Sequence, residues 1–466
     1  MSRADVDKTL MKEITGQCQL RRGGTVNTIS EVVENRLCTG CGTCLAVCPN
    51  SALRMYVSGK EGVYHVEVDE SKCNHCGVCF DVCSGYSIDY ARFNSEFFGK
   101  QPKDSMIGNY LGCYLGHVQN AQIRYDSASG GVVTQLLIFA LEKGIIDGAL
   151  VVRMNREKPL EAEPFIARTK EEILSASKSK YCPVPLNIAL KEILGHEGRF
   201  AVVGLPCHIH GIRAAELIRQ KLRDRIVLHV GLFCSHTVSF VGTEVLLRKF
   251  RIQKADVAAI AYRGMGWPGF MSIRMKDGRG LIVRFNKAWN AYWNLFSPFF
   301  FTPLRCMMCS DQFNELSDVS VGDAWLPELR RNSLGESLLI TRTNMGEKTL
   351  ASMKDLGILR LRSIPPSEVK ESQAFSLNFK KVNLPRRFAF LRMLGQKTPC
   401  LNANSKQATF DGFLSAFFSY SSVFVSSNEH LRSLLVYVPL PLFRLYFGLF
   451  KLNAMLTGVQ DVKHME

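Results

Sequence analysis

The sequence predicts a small cysteine-built α+β head followed by a larger α/β body. Two observations predict it. The stretch "CTGCGTCLAVCP", Cys38 to Pro49, sets four cysteines in C-x2-C-x2-C-x3-C spacing, and Cys73, Cys76, Cys79 and Cys83 repeat that spacing. Beyond about residue 105, apolar runs of strand length alternate with runs of helical period.

The totals bound the rest. A chain of 466 residues holds two or three domains, and 46% hydrophobic with 21% charged residues is an ordinary globular balance. Eight of the sixteen cysteines fall in the two runs, so a disulfide framework is the wrong reading. Arg3, Asp5, Asp7, Lys8, Lys12 and Glu13 interrupt the start with charge, which leaves no apolar signal core and predicts a cytoplasmic protein. The net charge of +16 is scattered, with pairs such as Arg21-Arg22 and Lys380-Lys381 but no longer block. That pattern argues against nucleic acid and for a positive face toward an acidic electron donor or an anionic cofactor.

The two cysteine runs predict two [4Fe-4S] clusters of the bacterial two-cluster ferredoxin kind. Three near thiolates hold each cube, and the fourth cysteine of each run reaches across to the other. Cys38, Cys41, Cys44 and Cys83 would then hold one cluster, and Cys73, Cys76, Cys79 and Cys48 the other. Gly40, Gly42 and Gly77 let the chain curl around them. Structural zinc wants cysteine pairs rather than two runs of four. Ser84 and Gly85, where proline follows the first run, mark a different turn after the second.

In the body, "SASGGVVTQLLIFALEKG" reads as a turn opening a helix that stops at Gly144. "GALVVRM" reads as a buried strand, "VPLNIALKEIL" as helix and "RFAVVGLPC" as a strand entering a turn. "HIHGIRAAELIRQKL" reads as helix and "RIVLHVGLFC" as the next strand. This alternation predicts a largely parallel sheet. "MSIRM" and "LIVRF", joined through Asp277-Gly278, predict a hairpin.

Cys207 and Cys234 each follow an apolar strand, the edge where parallel sheets place their sites. With the C-x2-C of Cys306 and Cys309 they make four thiols, enough for a third metal site. Singly, Cys207 or Cys234 reads as a small buried hydrophobe, and Cys306 with Cys309 as a redox pair. The Ser127–Gly131 turn, with Ser127, Ser129, Gly130 and Gly131 at a helix start, suits a phosphate, or simply caps the helix. His208 and His210 are candidate proton donors, or simply open a helix. Asp323 is a further candidate, to cap, to orient or to reach a cofactor. No G-x-G-x-x-G follows a strand, which argues against classical dinucleotide use.

Taken in order, "SASGGVVTQLL", "SKSKY", "VVGLPCHIHGIR", "GLFCSHT", "YRGMGWPG" and "LRCMMCSDQFNELSDVSVGDAW" resemble the beta-subunit family of coenzyme F-420 hydrogenases and dehydrogenases, over roughly residues 30 to 390. That family includes reductases of chlorophyll intermediates and members encoded among surface-polysaccharide genes. The resemblance implies an FAD-binding iron–sulfur oxidoreductase. It implies a third [4Fe-4S] cluster on Cys207, Cys234, Cys306 and Cys309, and flavin contacts at the Ser127–Gly131 turn, Lys180 and Tyr181. Cys182 matches no ligand position.

The expected organisation is an N-terminal extension (1–29), a two-cluster head (30–95), a first (105–240) and second (241–395) part of a flavin-binding body, and an apolar extension (396–466). From Phe410 onward the tail is aromatic and apolar but broken by Pro439, Pro441, Arg444 and Lys451, which argues against a spanning helix. It is expected to dock on the body or a partner subunit, or to lie in a membrane surface. The function expected is electron transfer from ferredoxin or another low-potential donor through clusters to FAD, and on to an organic substrate or a deazaflavin, or the reverse. The alternatives are a non-catalytic electron-transfer subunit and a partner protein in a surface-polysaccharide pathway.

Overall fold

Three apolar runs, "GALVVRM", "FAVVG" and "IVLHVGL", lie side by side at the centre of an eight-stranded sheet in the computed structural model. It describes residues 28–285, 290–401 and 411–456. The strands in chain order are β1 (Leu53–Val57), β2 (Tyr64–Val68), β3 (Ser87–Ile88), β4 (Gly112–Val118), β5 (Gly148–Met154), β6 (Ala162–Ala167), β7 (Phe200–Gly204) and β8 (Ile226–Leu232). Then come β9 (Val257–Ala261), β10 (Phe270–Met275), β11 (Gly280–Arg284), β12 (Val319–Asp323), β13 (Ser337–Thr341), β14 (Leu359–Ser363) and β15 (Cys400–Leu401).

The large sheet runs β14-β4-β13-β12-β8-β7-β5-β6. Its central pairs, β5 with β7, β7 with β8 and β8 with β12, are parallel. The outer pairs are antiparallel. The expected largely parallel sheet is therefore corrected to a mixed one. The strands buried on both faces were legible as apolar runs, whereas β4 and β14 are added by long-range pairing. β12 lies beside β8 although most of a domain's length separates them in sequence, so both parts of the body share one layer.

Local chemistry explains the elements. Gly131, with φ +77°, starts helix Val132–Glu142, and Gly144, with φ +62°, follows its end. A Cβ on Gly130 would stand 2.6 Å from the Gly116 carbonyl oxygen, so the turn lies directly on β4. The hairpin expected around Asp277-Gly278 is β10–β11, and β9 extends it to three strands.

The head carries the antiparallel β1–β2 hairpin and two short helices, Thr43–Val47 and Val78–Asp81. Gly42 and Gly77 both begin these helices with positive φ, so the sequence repeat is also a conformational one. Asn187 stitches head to body. Its side-chain amide donates to Thr43 Oγ1 at 2.8 Å and to the His208 carbonyl at 2.9 Å, and its backbone N–H donates to the Cys41 carbonyl at 2.8 Å.

The tail forms helices Asp411–Ser427, Glu429–Leu435 and Leu440–Leu456. Phe450 packs on Phe299, which stacks on Phe379 at 4.3 Å. Lys249 donates to the Val436 and Val438 carbonyls. No single helix among the described residues is long and apolar enough to cross a membrane. Glu429–Leu435 and Leu440–Leu452 would qualify only together, and they bend by 110°.

Candidate functional site

The structure brings the twelve singled-out cysteines together in three groups of four. Cys38, Cys41, Cys44 and Cys83 form the first. Burial pushes the Cys83 thiol up to about 12, and the nearby Cys41 adds to it. Cys44 is raised by burial and then by Cys41, Cys38 and Cys83. Cys48, Cys73, Cys76 and Cys79 line a single cavity and form the second group, with Cys76 exposed. Cys207, Cys234, Cys306 and Cys309 form the third. Burial raises Cys207 first, and its neighbours Cys41, Cys234, Cys306 and Cys309 raise it further.

The groups are ordered in space. The second is the outermost, through Cys76. Cys41 of the first group neighbours Cys207 of the third. Ser84 Oγ donates to the Cys207 carbonyl at 3.0 Å and lies 3.9 Å from Cys41 Sγ. Arg305, one residue before Cys306, donates to the Gly85 carbonyl at 2.8 Å and the Ser84 carbonyl at 3.1 Å. The turn after the second cysteine run, where proline is missing, is thus the piece that fits against the body.

Three buried cations surround the third group. Lys380 donates to the Cys234 carbonyl, to the Asp311 carbonyl at 2.7 Å and to Cys309 Sγ at 3.5 Å. Arg387 donates to the Met307 and Phe379 carbonyls and lies over the Phe379 ring. Arg305 is the third. All three end on carbonyls or sulfur rather than on carboxylates, and the buried Asp311 carboxylate nearby is paired with His210, so the cations exceed the carboxylate there and four thiolates with a bound metal cluster would balance them. The donor set and the charge fit such a group.

The histidines have other work. His208 accepts from the Leu205 N–H at 3.2 Å through Nδ1 and meets the Val184 carbonyl at 3.1 Å through Nε2, and burial lowers it to about 4. Its ring is neutral and fully used by backbone. His210 Nε2 lies 2.8 Å from the buried Asp311 carboxylate, against the edge of Tyr90.

The Ser127–Gly131 turn, Tyr181 and Asp323 converge on one residue that sequence reasoning did not single out. The Arg263 guanidinium donates to Ala128 O at 2.5 Å, Tyr181 Oη at 2.9 Å and Asp323 Oδ2 at 3.0 Å. It is buried, and its Nε has no partner among the described residues. Its signal was its place in "YRGMGWPG". Trp267 of the same stretch also buries an Nε1 that has no partner among the described residues. The turn's hydroxyls are taken: Ser127 Oγ donates to Ile123 O and Ser129 Oγ to Glu336 O, each at 2.6 Å. Lys180 donates to the carbonyls of Ala176, Ser177 and Lys178, and burial lowers it to about 7. It closes its own loop beside Tyr181. Lys380, read only as half of a charge pair, and Arg387 also escaped notice as site residues, because nothing in local spacing marks a distant cation that folds onto a cysteine.

Comparison with known proteins divides the chain into the same head and body. Residues 37–85 match the model of a 4Fe-4S dicluster domain. Residues 113–191 match the N-terminal model of the coenzyme F-420 hydrogenase/dehydrogenase beta subunit, and 197–367 its C-terminal model. The chain is 26% identical over 310 residues to the coenzyme F-420 hydrogenase subunit beta of Methanothermobacter thermautotrophicus, covering 63% of this chain and 99% of that one. It is 26% identical over 347 residues to a subunit of the F(420)H(2) dehydrogenase of Methanosarcina mazei, covering 70% and 85%. A coenzyme F-420-dependent sulfite reductase of Methanocaldococcus jannaschii is 27% identical over 339 residues, covering 69% of this chain and 46% of that one. Among solved structures, the F-420-reducing [NiFe] hydrogenase complex of Methanosarcina barkeri contains a chain of 24% identity and TM-score 0.46, covering 59% and 89%. With a 4Fe-4S dicluster domain ahead of both halves of one family's model, this iron–sulfur chain belongs to the coenzyme F-420 hydrogenase/dehydrogenase beta-subunit family of oxidoreductases.

Proposed function

We propose that the chain conducts electrons between an external low-potential donor, such as ferredoxin, and a flavin inside the body. Cys48, Cys73, Cys76 and Cys79 hold the outer [4Fe-4S] cluster, Cys38, Cys41, Cys44 and Cys83 the inner one, and Cys207, Cys234, Cys306 and Cys309 a third. FAD sits against the Ser127–Gly131 turn, Tyr181 and Arg263. When bound, it exchanges single electrons with clusters and a hydride equivalent with an organic molecule. The acceptor is an organic substrate or, as the names of the relatives make most natural, a deazaflavin coenzyme.

The observation that carries this reading is the contact of Ser84 with Cys207, which sets the inner head group against the third group. The protein's own residues do the rest. Arg305 locks the head turn to the segment bearing Cys306. Lys380, Arg305 and Arg387 compensate the thiolate charge. Arg263 holds turn, tyrosine and aspartate in one arrangement and keeps one N–H for a ligand. His208 and His210 position the helix Pro206–Glu216 behind Cys207.

Iron, sulfide and flavin content of protein purified without oxygen tests the reading. About twelve irons and one FAD per chain are expected, at four irons per cluster. About eight irons and no flavin would overturn the third cluster and the catalytic reading together. Because relatives are named as subunits, a chain carrying all cofactors yet reducing nothing until a second protein is added would make it an electron-transfer subunit.

A further inference from the structure

The tail contains a helix packed inside out. In Asp411–Ser427, Ser415, Ser419, Ser422 and Ser426 face the protein, with Ser419 at 0% and Ser422 at 1% exposure. Leu414, Phe417 and Phe424 face outward, at 50%, 53% and 53%. A helix on a water-facing surface has the opposite arrangement. Three of the inward serines, Ser419, Ser422 and Ser426, are satisfied without water. Ser419 and Ser426 donate to the carbonyls four residues back at 2.7 Å, and Ser426 Oγ accepts from the Phe301 N–H at 2.8 Å.

The last helix, Leu440–Leu456, repeats the theme. Phe443, Phe447 and Phe450 are buried, while Leu442, Leu445, Leu449 and Leu452 are all at least half exposed. Their spacing of three, four and three residues makes one stripe. At 3.6 residues per turn, Arg444 and Lys451 fall together along one flank of that stripe. Lys451 lies over the Phe447 ring at 5.0 Å. No acidic residue occurs between Leu440 and Leu452. Tyr437, 82% exposed at the bend, adds an amphipathic ring.

We propose that these two helices dock the protein on the surface of an anionic lipid bilayer, with the leucine and phenylalanine stripes in the acyl boundary and Arg444 and Lys451 at the headgroups. The 110° bend between the last two helices keeps them on the surface instead of across it. Charge decides among occupants. A second copy would bring a second basic rim against the first, in a chain already at +16, whereas anionic headgroups complement it.

The test is flotation of the full, cofactor-loaded chain with phosphatidylcholine vesicles, with and without phosphatidylglycerol. Binding is expected with the anionic vesicles and falls as salt rises. Leu445→Ser with Leu449→Ser, both at exposed positions, should lower partitioning by about tenfold or more without changing thermal stability. Arg444→Gln with Lys451→Gln should erase the preference for anionic lipid. Equal flotation of the original chain and the leucine variant overturns the proposal. So does failure to bind vesicles together with a concentration-dependent dimer that the leucine variant dissolves, which would assign the face to a second copy.

Discussion

Ser84 of the head donates its hydroxyl to the carbonyl of Cys207 in the body at 3.0 Å, within 3.9 Å of Cys41 Sγ. Two cysteine groups far apart in sequence meet through this one small side chain. Ser84→Ala removes the second bond of a carbonyl that the helix Pro206–Glu216 already engages, and with it a hydrogen bond across the head–body contact. The expected cost is about 0.5–1.5 kcal/mol, read in anaerobic denaturant unfolding. A midpoint unchanged within error would show that the head is held elsewhere.

Cys306→Ser separates the third group from the head. The substitution should lower iron by about four per chain and leave the signals of the head clusters in place. A loss of all iron would mean that the three groups assemble only as a unit.

Lys380→Met removes a cation 3.5 Å from Cys309 Sγ. Positive charge stabilises the reduced, more negative state of a thiolate-held cluster, so the third cluster's potential should fall. The shift expected is on the order of 60 mV, a tenfold change for one electron, in an anaerobic redox titration with iron content retained. A rise in potential would contradict the assignment.

Gly130→Ala tests the turn. The added Cβ would meet Gly116 O at 2.6 Å and Ser337 N at 2.9 Å, both backbone atoms. Overpacking of this kind costs about 1–3 kcal/mol. Flavin content should drop while cysteine-held iron stays.

A buried ion network sets a pH dependence away from the cysteines. His229 bridges Glu216 at 2.6 Å and Asp318 at 3.0 Å. Burial and Arg213 push His229 down, but the two carboxylates outweigh them and raise it above its ordinary 6.5. Its contribution is therefore complete below pH 6.5 and fades as pH rises through the higher folded value. Asp318 works oppositely. Burial raises it, but His229 and Arg213 bring it from 3.8 to about 2, so its contribution is present above pH 3.8 and lost toward pH 2. Melting temperature should fall between pH 6.5 and alkaline pH, and His229→Gln should flatten that fall. An equal slope in the variant would place the alkaline loss elsewhere.

Much of the site was legible in sequence because its chemistry is local. The two four-cysteine runs, Gly42 and Gly77 at matching helix starts, and the Ser127–Gly131 turn each need only neighbours along the chain. The strand-end cysteines were legible too, since an apolar run entering a turn puts the next residue at a sheet edge. The histidines show the limit. Adjacency to Cys207 made His208 a candidate proton donor, yet both its ring nitrogens are taken by backbone from Leu205 and Val184.

By itself the sequence determined the cysteine spacing of each run, the central strands and the helix starts, since spacing and backbone freedom fix these within a few residues. Tertiary structure alone decided the rest: that β12 joins β8, that Arg263 gathers the turn, Tyr181 and Asp323, and that Lys380 reaches Cys309. It also decided that the helix Asp411–Ser427 turns four serines inward and Phe417 and Phe424 out. The physical reason is the same in each case. Burial and charge compensation depend on which distant segments close around a group, and no local pattern carries that information.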